Sequence, residues 1–181
     1  MERNLTLIAL FAALIAALGL IPKFTLGFGV PITAQTLGVM LCGTVLGAKR
    51  GTLATLLFLL LIALGLPLLA GGRGGLGVFA SPTVGFLIGW PLGAFVTGLM
   101  VEKLRFASLG VTAAIASVVG GIIVVYIFGV IGMSYTLNKT IPEATMLVTA
   151  FIPGDLIKAI VAGAVTVALY KARPKSVLSR V

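Results

Sequence analysis

Pro153-Gly154-Asp155-Leu156-Ile157-Lys158 places an aspartate and a lysine at the head of an apolar stretch, Leu156 to Tyr170, that reads as a membrane helix. An ionisable group inside a bilayer costs several kcal/mol, on the order of 3 even on the mildest insertion scale, so such residues face a protein interior or a wet cavity. Proline suits the first turn of a helix, where its missing N–H has no partner to lose. Pro153 therefore reads as the first residue of the last membrane helix rather than a kink in a longer one. Asp155 then meets the positive end of the helix dipole, and Lys158, three residues on, shares its face. Two readings are open: a polar site, or an i, i+3 ion pair that ties down a helix end. Buried ion pairs are poor stabilisers in their own right, which favours the site.

The chain around this pair is a wall of apolar sequence. Of its residues 60% are hydrophobic and only 9% charged, and mean hydropathy is +1.24, which describes an integral membrane protein with no separable soluble domain. The formal charge of +9 suggests nucleic acid in a soluble chain, but here the cations sit between apolar runs and at the C-terminal end, where topology signals belong, and no nucleic-acid partner is expected. The chain has no histidine and one cysteine, Cys42, within an apolar run. Zinc sites, disulfides and histidine-dependent triads are thereby excluded, and no catalytic residue, metal ligand or cofactor is expected.

A span needs about 20 apolar residues, somewhat fewer when a neighbour covers its end. Six candidates emerge within one membrane domain, 1–181: residues 5–21, 32–48, 52–69, 83–101, 109–133 and 153–170. The first is preceded by Arg3 but lacks a clear small-residue cleavage site, so it reads as a retained helix rather than a signal peptide. With the N-terminus inside, nine cations (Arg3, Lys49, Arg50, Lys103, Arg105, Lys171, Arg173, Lys175 and Arg180) lie on the inner side, against Lys23, Arg73 and Lys139 outside. Positive residues favour the cytoplasmic side, so both termini are expected there. The expected class is an all-α integral membrane protein of six transmembrane helices in the cell (plasma) membrane.

The three longer connections, 22–31, 70–82 and 134–152, then share the outer face. The first mixes Pro22, Pro31 and two glycines with Phe24 and Phe28, which reads as non-helical backbone folded back over something apolar. The second sets five glycines around Arg73 and leads into Leu76-Gly77-Val78-Phe79. It is either a flexible linker or a segment whose amides approach a ligand or a packed neighbour closely; its apolar end favours the latter. It lacks the Gly-Lys-Ser/Thr ending of a nucleotide-binding loop. In the third, Thr140, Pro142 and Glu143 are helix-start signals, so 141–151 is expected as a short outer surface helix.

Asp155, Lys158, Arg73 and Gln35 thus gather toward the outer side, among apolar surfaces from Phe28, Leu76, Phe79 and Tyr126. That make-up fits a small-molecule pocket, mostly apolar with a few polar groups that fix orientation. The excess of positive charge points to a ligand anionic at one end. On the first helix, Ala9, Ala12, Ala13 and Ala16 place small residues four apart, a surface for close approach by another helix of this chain or of a partner. Gly85, Gly89, Gly93, Gly120 and Gly121 read as internal helix packing.

Three separated motifs, Val30-Pro31-Ile32-Thr33-Ala34-Gln35-Thr36, Gly77-Val78-Phe79-Ala80-Ser81-Pro82-Thr83 and Pro153-Gly154-Asp155-Leu156-Ile157-Lys158, resemble those of the BioY family. Those proteins are the biotin-specific S components of energy-coupling-factor (ECF) transporters. The resemblance covers essentially the whole chain, although Ser81-Pro82-Thr83-Val84-Gly85 departs from a Gly-Pro-Thr-Gly-Gly pattern in the family. It implies a six-helix S-component-like bundle that captures biotin from outside and works with a transmembrane coupling protein and two cytoplasmic ATPase subunits. It also implies that Asp155 and Lys158 contact biotin, with Arg73 in the lid, and that the alanine face of the first helix docks the coupling protein. The chemistry is compatible with a hypothesis in which Asp155 accepts from the ureido N–H groups, Lys158 donates to a ligand oxygen and Arg73 faces the carboxylate, while the reverse assignment of the two cations stays open. Three alternatives stand beside it. An S component for another vitamin differs only in its ligand; a channel needs a polar stripe that the apolar inner halves of the spans lack; a membrane enzyme needs more acid-base chemistry than Asp155 supplies.

Overall fold

The computed structural model describes residues 2–25, 27, 30–105 and 107–180. Helix α1 (Glu2–Leu18) is followed by a two-residue antiparallel ladder, β1 (Phe24–Thr25) with β2 (Pro31–Ile32). Then come α2 (Gln35–Leu46), α3 (Ala48–Ala63), a 3-10 turn at Leu76–Ala80, and α4 (Val84–Lys103). Helix α5 (Leu109–Ala116) passes through a π-helical stretch, Ser117–Val124, into α6 (Val125–Leu137). Helix α7 (Ile141–Val148) leads through a 3-10 turn, Thr149–Phe151, into α8 (Ile152–Ala172).

Three of these helical paths are long and apolar enough to cross a membrane: Val84–Lys103, Leu109–Leu137 and Ile141–Ala172. Helices α1 to α3 are shorter, at 17, 12 and 16 residues; of the expected spans, 5–21 is shifted toward the N-terminus, 32–48 is trimmed at both ends, and 52–69 starts and ends earlier, each for a visible reason. Helix α1 stops where Gly19 meets the next connection; a β-carbon there would lie 2.7 Å from the Leu68 carbonyl oxygen. Helix α2 begins at Gln35 because residues 31–32 belong to the ladder. Lys49 and Arg50, expected in a turn, occupy the first turn of α3 instead. One residue, Gly47 at φ 83°, makes the turn, and the Glu102 carboxylate accepts the Ala48 N–H at 2.8 Å. Helix α3 ends at Ala63, ahead of Gly65 at φ 103° and Pro67, so the glycine-rich connection starts earlier than residue 70.

The third connection carries the helix start read from its sequence. Thr140 and Glu143 form a reciprocal capping box, with the Thr140 N–H donating to Glu143 at 2.8 Å. The 3-10 turn then joins α7 directly to α8, and Pro153 sits in the first turn of α8, one residue after its start.

Glycines hold the centre together. Helix α4 brings Gly85, Gly89 and Gly93 against the α5–α6 path, where a β-carbon on Gly89 would lie 3.0 Å from the Val125 Cα and one on Gly93 2.6 Å from the Gly120 carbonyl oxygen. Backbones this close gain dispersion along their length and leave no room for a side chain. Thr97 of α4 donates to the Ala116 carbonyl at 3.2 Å, just where the π-helical stretch begins, an insertion of the kind that alters a helical ladder. Gly93→Val is expected to destabilise the bundle by about 2 kcal/mol through overpacking. Thermal unfolding of the purified protein in detergent checks it, and an unchanged transition would refute the close packing.

Six alternating passes return both chain ends to one end of the bundle. There Ser179 of the C-terminal tail donates to the Thr44 carbonyl and Arg180 to that of Leu104 at 3.3 Å. The ladder, the glycine-rich connection and the start of α8 lie at the opposite end.

Candidate functional site

At that opposite end the starts of α2, α4 and α8 converge with α6 and the glycine-rich connection around a cavity of about 560 Å³, its open mouth included. Its wall is mostly apolar and aromatic: Val30, Ile32, Leu69, Phe86, Leu87, Trp90, Tyr126 and Phe151. Phe86, Tyr126 and Phe151 meet edge to face, with centroids 5.8 to 6.5 Å apart. Each ring edge thereby meets a neighbouring π face, a preferred arrangement for aromatic pairs.

The polar part of the wall is one cluster. Asp155, in the first turn of α8 and 3% exposed, faces Lys158 at 2.7 Å. The Thr36 hydroxyl donates to Asp155 Oδ1 at 3.0 Å, and the Tyr126 hydroxyl donates to Oδ2 at 2.6 Å. Lys158 Nζ donates to Asp155 Oδ1, to Thr36 Oγ1 at 2.9 Å and to the Thr33 carbonyl at 2.6 Å. An ammonium has three N–H donors and a carboxylate about four acceptor positions. Among the described residues, then, Lys158 is fully occupied while Asp155 retains one position, on Oδ2. The acid and base form an ion pair and also line the cavity, which combines the two readings left open by their spacing.

Gln35 also lines the cavity, yet it is 1% exposed and largely engaged in the fold. Its Nε2 donates to the carbonyls of Ile15 and Leu68, each at 3.1 Å, and its Oε1 accepts the Ala70 N–H at 3.0 Å. It thus ties the end of α1 to the glycine-rich connection, which makes a tight turn in which Leu69 and Arg73 exchange backbone hydrogen bonds. Gly71 and Gly72, at φ 82° and 70°, supply the left-handed backbone that this turn requires. The turn carries Arg73 to the cavity wall, half-buried, with Nε donating to Ala70 at 3.4 Å. Burial holds its guanidinium below the ordinary value.

Phe79 and Leu76 are not cavity-lining residues. Phe79, in the 3-10 turn, packs against the core, and Leu76 is exposed. Phe28 lies outside the described residues. Of the alanines, Ala12 is buried and Ala16 packs against the core, whereas Ala9 and Ala13 are exposed. The stripe thus divides into a face packed within this chain and a face open to a neighbour.

Sequence reasoning assigned Tyr126 an apolar role and did not assign Thr36 or Trp90 at all. Tyr126 had a signal, a phenol in a 29-residue apolar helical path. Thr36 is an ordinary small hydroxyl until Lys158 is seen across from it. Trp90 carries a buried indole N–H with no acceptor among the described residues.

The sequence pattern of the BioY family matches residues 2–175. A protein named "Biotin transporter BioY" from Rhodobacter capsulatus is 54% identical over 189 residues, covering 99% of this chain and all of that protein. One of the same name from Rhizobium etli is 54% identical over 166 residues, covering 88% and 89%. Among solved structures, the S-component for biotin from an ECF-type ABC transporter superposes with a TM-score of 0.89 at 35% identity, covering 94% of this chain and 92% of that one.

Proposed function

Since the chain belongs to the BioY family, we propose that it is the biotin-binding S component of an ECF-type vitamin transporter. The observation that carries this reading is the cavity: an aromatic box closed on one side by the Asp155, Lys158, Tyr126 and Thr36 cluster. Biotin combines a ureido ring, with two N–H donors and one carbonyl, an apolar ring and chain, and a carboxylate. The free acceptor position of Asp155 takes a ureido N–H, and the aromatic rings enclose the apolar body. Because the three N–H groups of Lys158 already have acceptors, its donation to the ureido oxygen requires an exchange of partners; the indole N–H of Trp90, which lines the same cavity, is one donor without an acceptor among the described residues.

In this reading the cavity opens outward, the termini are cytoplasmic, and a transmembrane coupling protein and two cytoplasmic ATPase subunits complete the transporter. The excess of lysine and arginine at the end that holds both termini supports that orientation. The exposed Ala9 and Ala13 face supports docking of the coupling protein through close helix approach. The named relatives are transporters.

Calorimetric titration of the purified protein with biotin, riboflavin and thiamine tests the reading: biotin alone is expected to bind, and failure to bind it would overturn the proposal. Arg73→Gln is expected to weaken biotin about 10-fold, within the range for a charge-assisted hydrogen bond. It should leave the affinity for biotin methyl ester nearly unchanged. An equal loss for acid and ester would remove Arg73 from the carboxylate.

A further inference from the structure

A second concavity lies at the opposite end of the bundle, between α3 and α4. Lys49 and Arg50 from the first turn of α3, and Lys103 from the last turn of α4, surround its polar end, while Phe95 and Leu99 form an apolar wall below them. Its volume is about 900 Å³, open side included. Phe95 and Leu99 are each 38% exposed on the lipid-facing side of α4, so the apolar part of the groove is open along the helix.

Charge and shape together single out one kind of occupant. Among the described residues the ion pair of Asp155 with Lys158, at the far end, is the one salt bridge, so none of these three cations is held by a carboxylate. Glu102 lines the same groove, but its Oε1 accepts the Ala48 N–H and is committed to the start of α3. The result is net positive charge above an apolar channel, at the level where a helix leaves the hydrocarbon. A soluble anion has no use for the channel, and an uncharged lipid has none for the cations. An anionic phospholipid uses both, its phosphate among the cations and an acyl chain along Phe95 and Leu99.

We propose that the α3–α4 groove is a binding site for an anionic phospholipid, with Lys49, Arg50 and Lys103 holding the headgroup and Phe95 and Leu99 seating the chain. The site is separate from the cavity between α4, α6 and α8, and its occupant stabilises the junction of α3 and α4 that Gly47 and Glu102 define.

Native mass spectrometry of the intact protein, released from an uncharged detergent after titration with phosphatidylglycerol or phosphatidylcholine of identical chains, tests it. One phosphatidylglycerol is expected to be retained about 10-fold better than phosphatidylcholine. Substituting Lys49→Gln, Arg50→Gln and Lys103→Gln together should abolish that preference while ligand binding at the other end persists. A control removing the same charge from the tail, Lys171→Gln, Arg173→Gln and Lys175→Gln, should leave it intact. Equal retention of the two lipids in the unsubstituted protein, or equal loss of preference in both triple variants, would overturn the proposal. So would displacement by glycerol phosphate at the concentration effective for the lipid, because the chain would then contribute nothing.

Discussion

Asp155→Asn should weaken biotin binding by about 100-fold, equivalent to about 2.7 kcal/mol. The substitution preserves shape, so the loss is electrostatic. Lys158, which donates to Asp155 at 2.7 Å, keeps its Thr33 and Thr36 partners but loses its counterion in a largely buried setting. Removing one partner of such a pair costs more than the pair itself contributes. The amide also puts an N–H in place of one carboxylate oxygen, facing either Tyr126 and the ligand N–H or Lys158 and Thr36, so the cluster can no longer accept from all of them. Calorimetric titration in detergent gives the affinity, and a thermal transition within a few degrees of the unsubstituted protein would place the defect in binding rather than folding. Unchanged affinity would remove Asp155 from the ligand.

Gln35→Leu should act in the opposite order, on the fold first and on the ligand through it. Leucine fits the volume but supplies no partner for the Leu68 carbonyl or the Ala70 N–H, each buried or half-buried where Gln35 holds it. An unsatisfied buried group costs about 1–3 kcal/mol, so a total near 3 kcal/mol is expected. The Ile15 carbonyl is protected because it also accepts the Gly19 N–H at 3.2 Å. Leu69 and Arg73 ride on the segment that Gln35 anchors, so affinity should fall with stability. Thermal unfolding and titration measured on the same sample separate the cases: a normal melting transition with lost affinity would make Gln35 a direct ligand contact instead.

The contrast between these two residues shows what the sequence could convey. Asp155 and Lys158 stood out because charge is scarce in a chain this apolar, and helical spacing alone put them on one face. Gln35 stood out for the same reason, but polarity in a greasy sequence signals an interior partner without saying whether that partner is ligand or backbone. The Leu68 and Ala70 groups it holds lie 33 and 35 residues away. Helix ends were less legible where a tertiary contact decides them. Nothing local to Lys49-Arg50 announces that Glu102, more than 50 residues on, accepts the N–H of Ala48 and lets α3 start there. The glycines of α4 were readable because a small residue every fourth position in an apolar helix has few uses besides a close neighbour. The aromatic box was not: Phe86, Trp90 and Phe151 are ordinary members of apolar runs until the helices bring them to one cavity.

Asp155, Lys158 and Thr36 close a ring of hydrogen bonds within the chain, and Tyr126 holds the second oxygen of Asp155. Departure of a ligand therefore exposes no bare charge, because ammonium and carboxylate retain each other when the visitor goes. A carrier has to let go as well as hold, and an acid and a base that pair with each other lower the penalty of release. Grip comes from the aromatic walls together with the remaining acceptor of Asp155, and the bonds that the polar cluster makes within the chain keep it reversible.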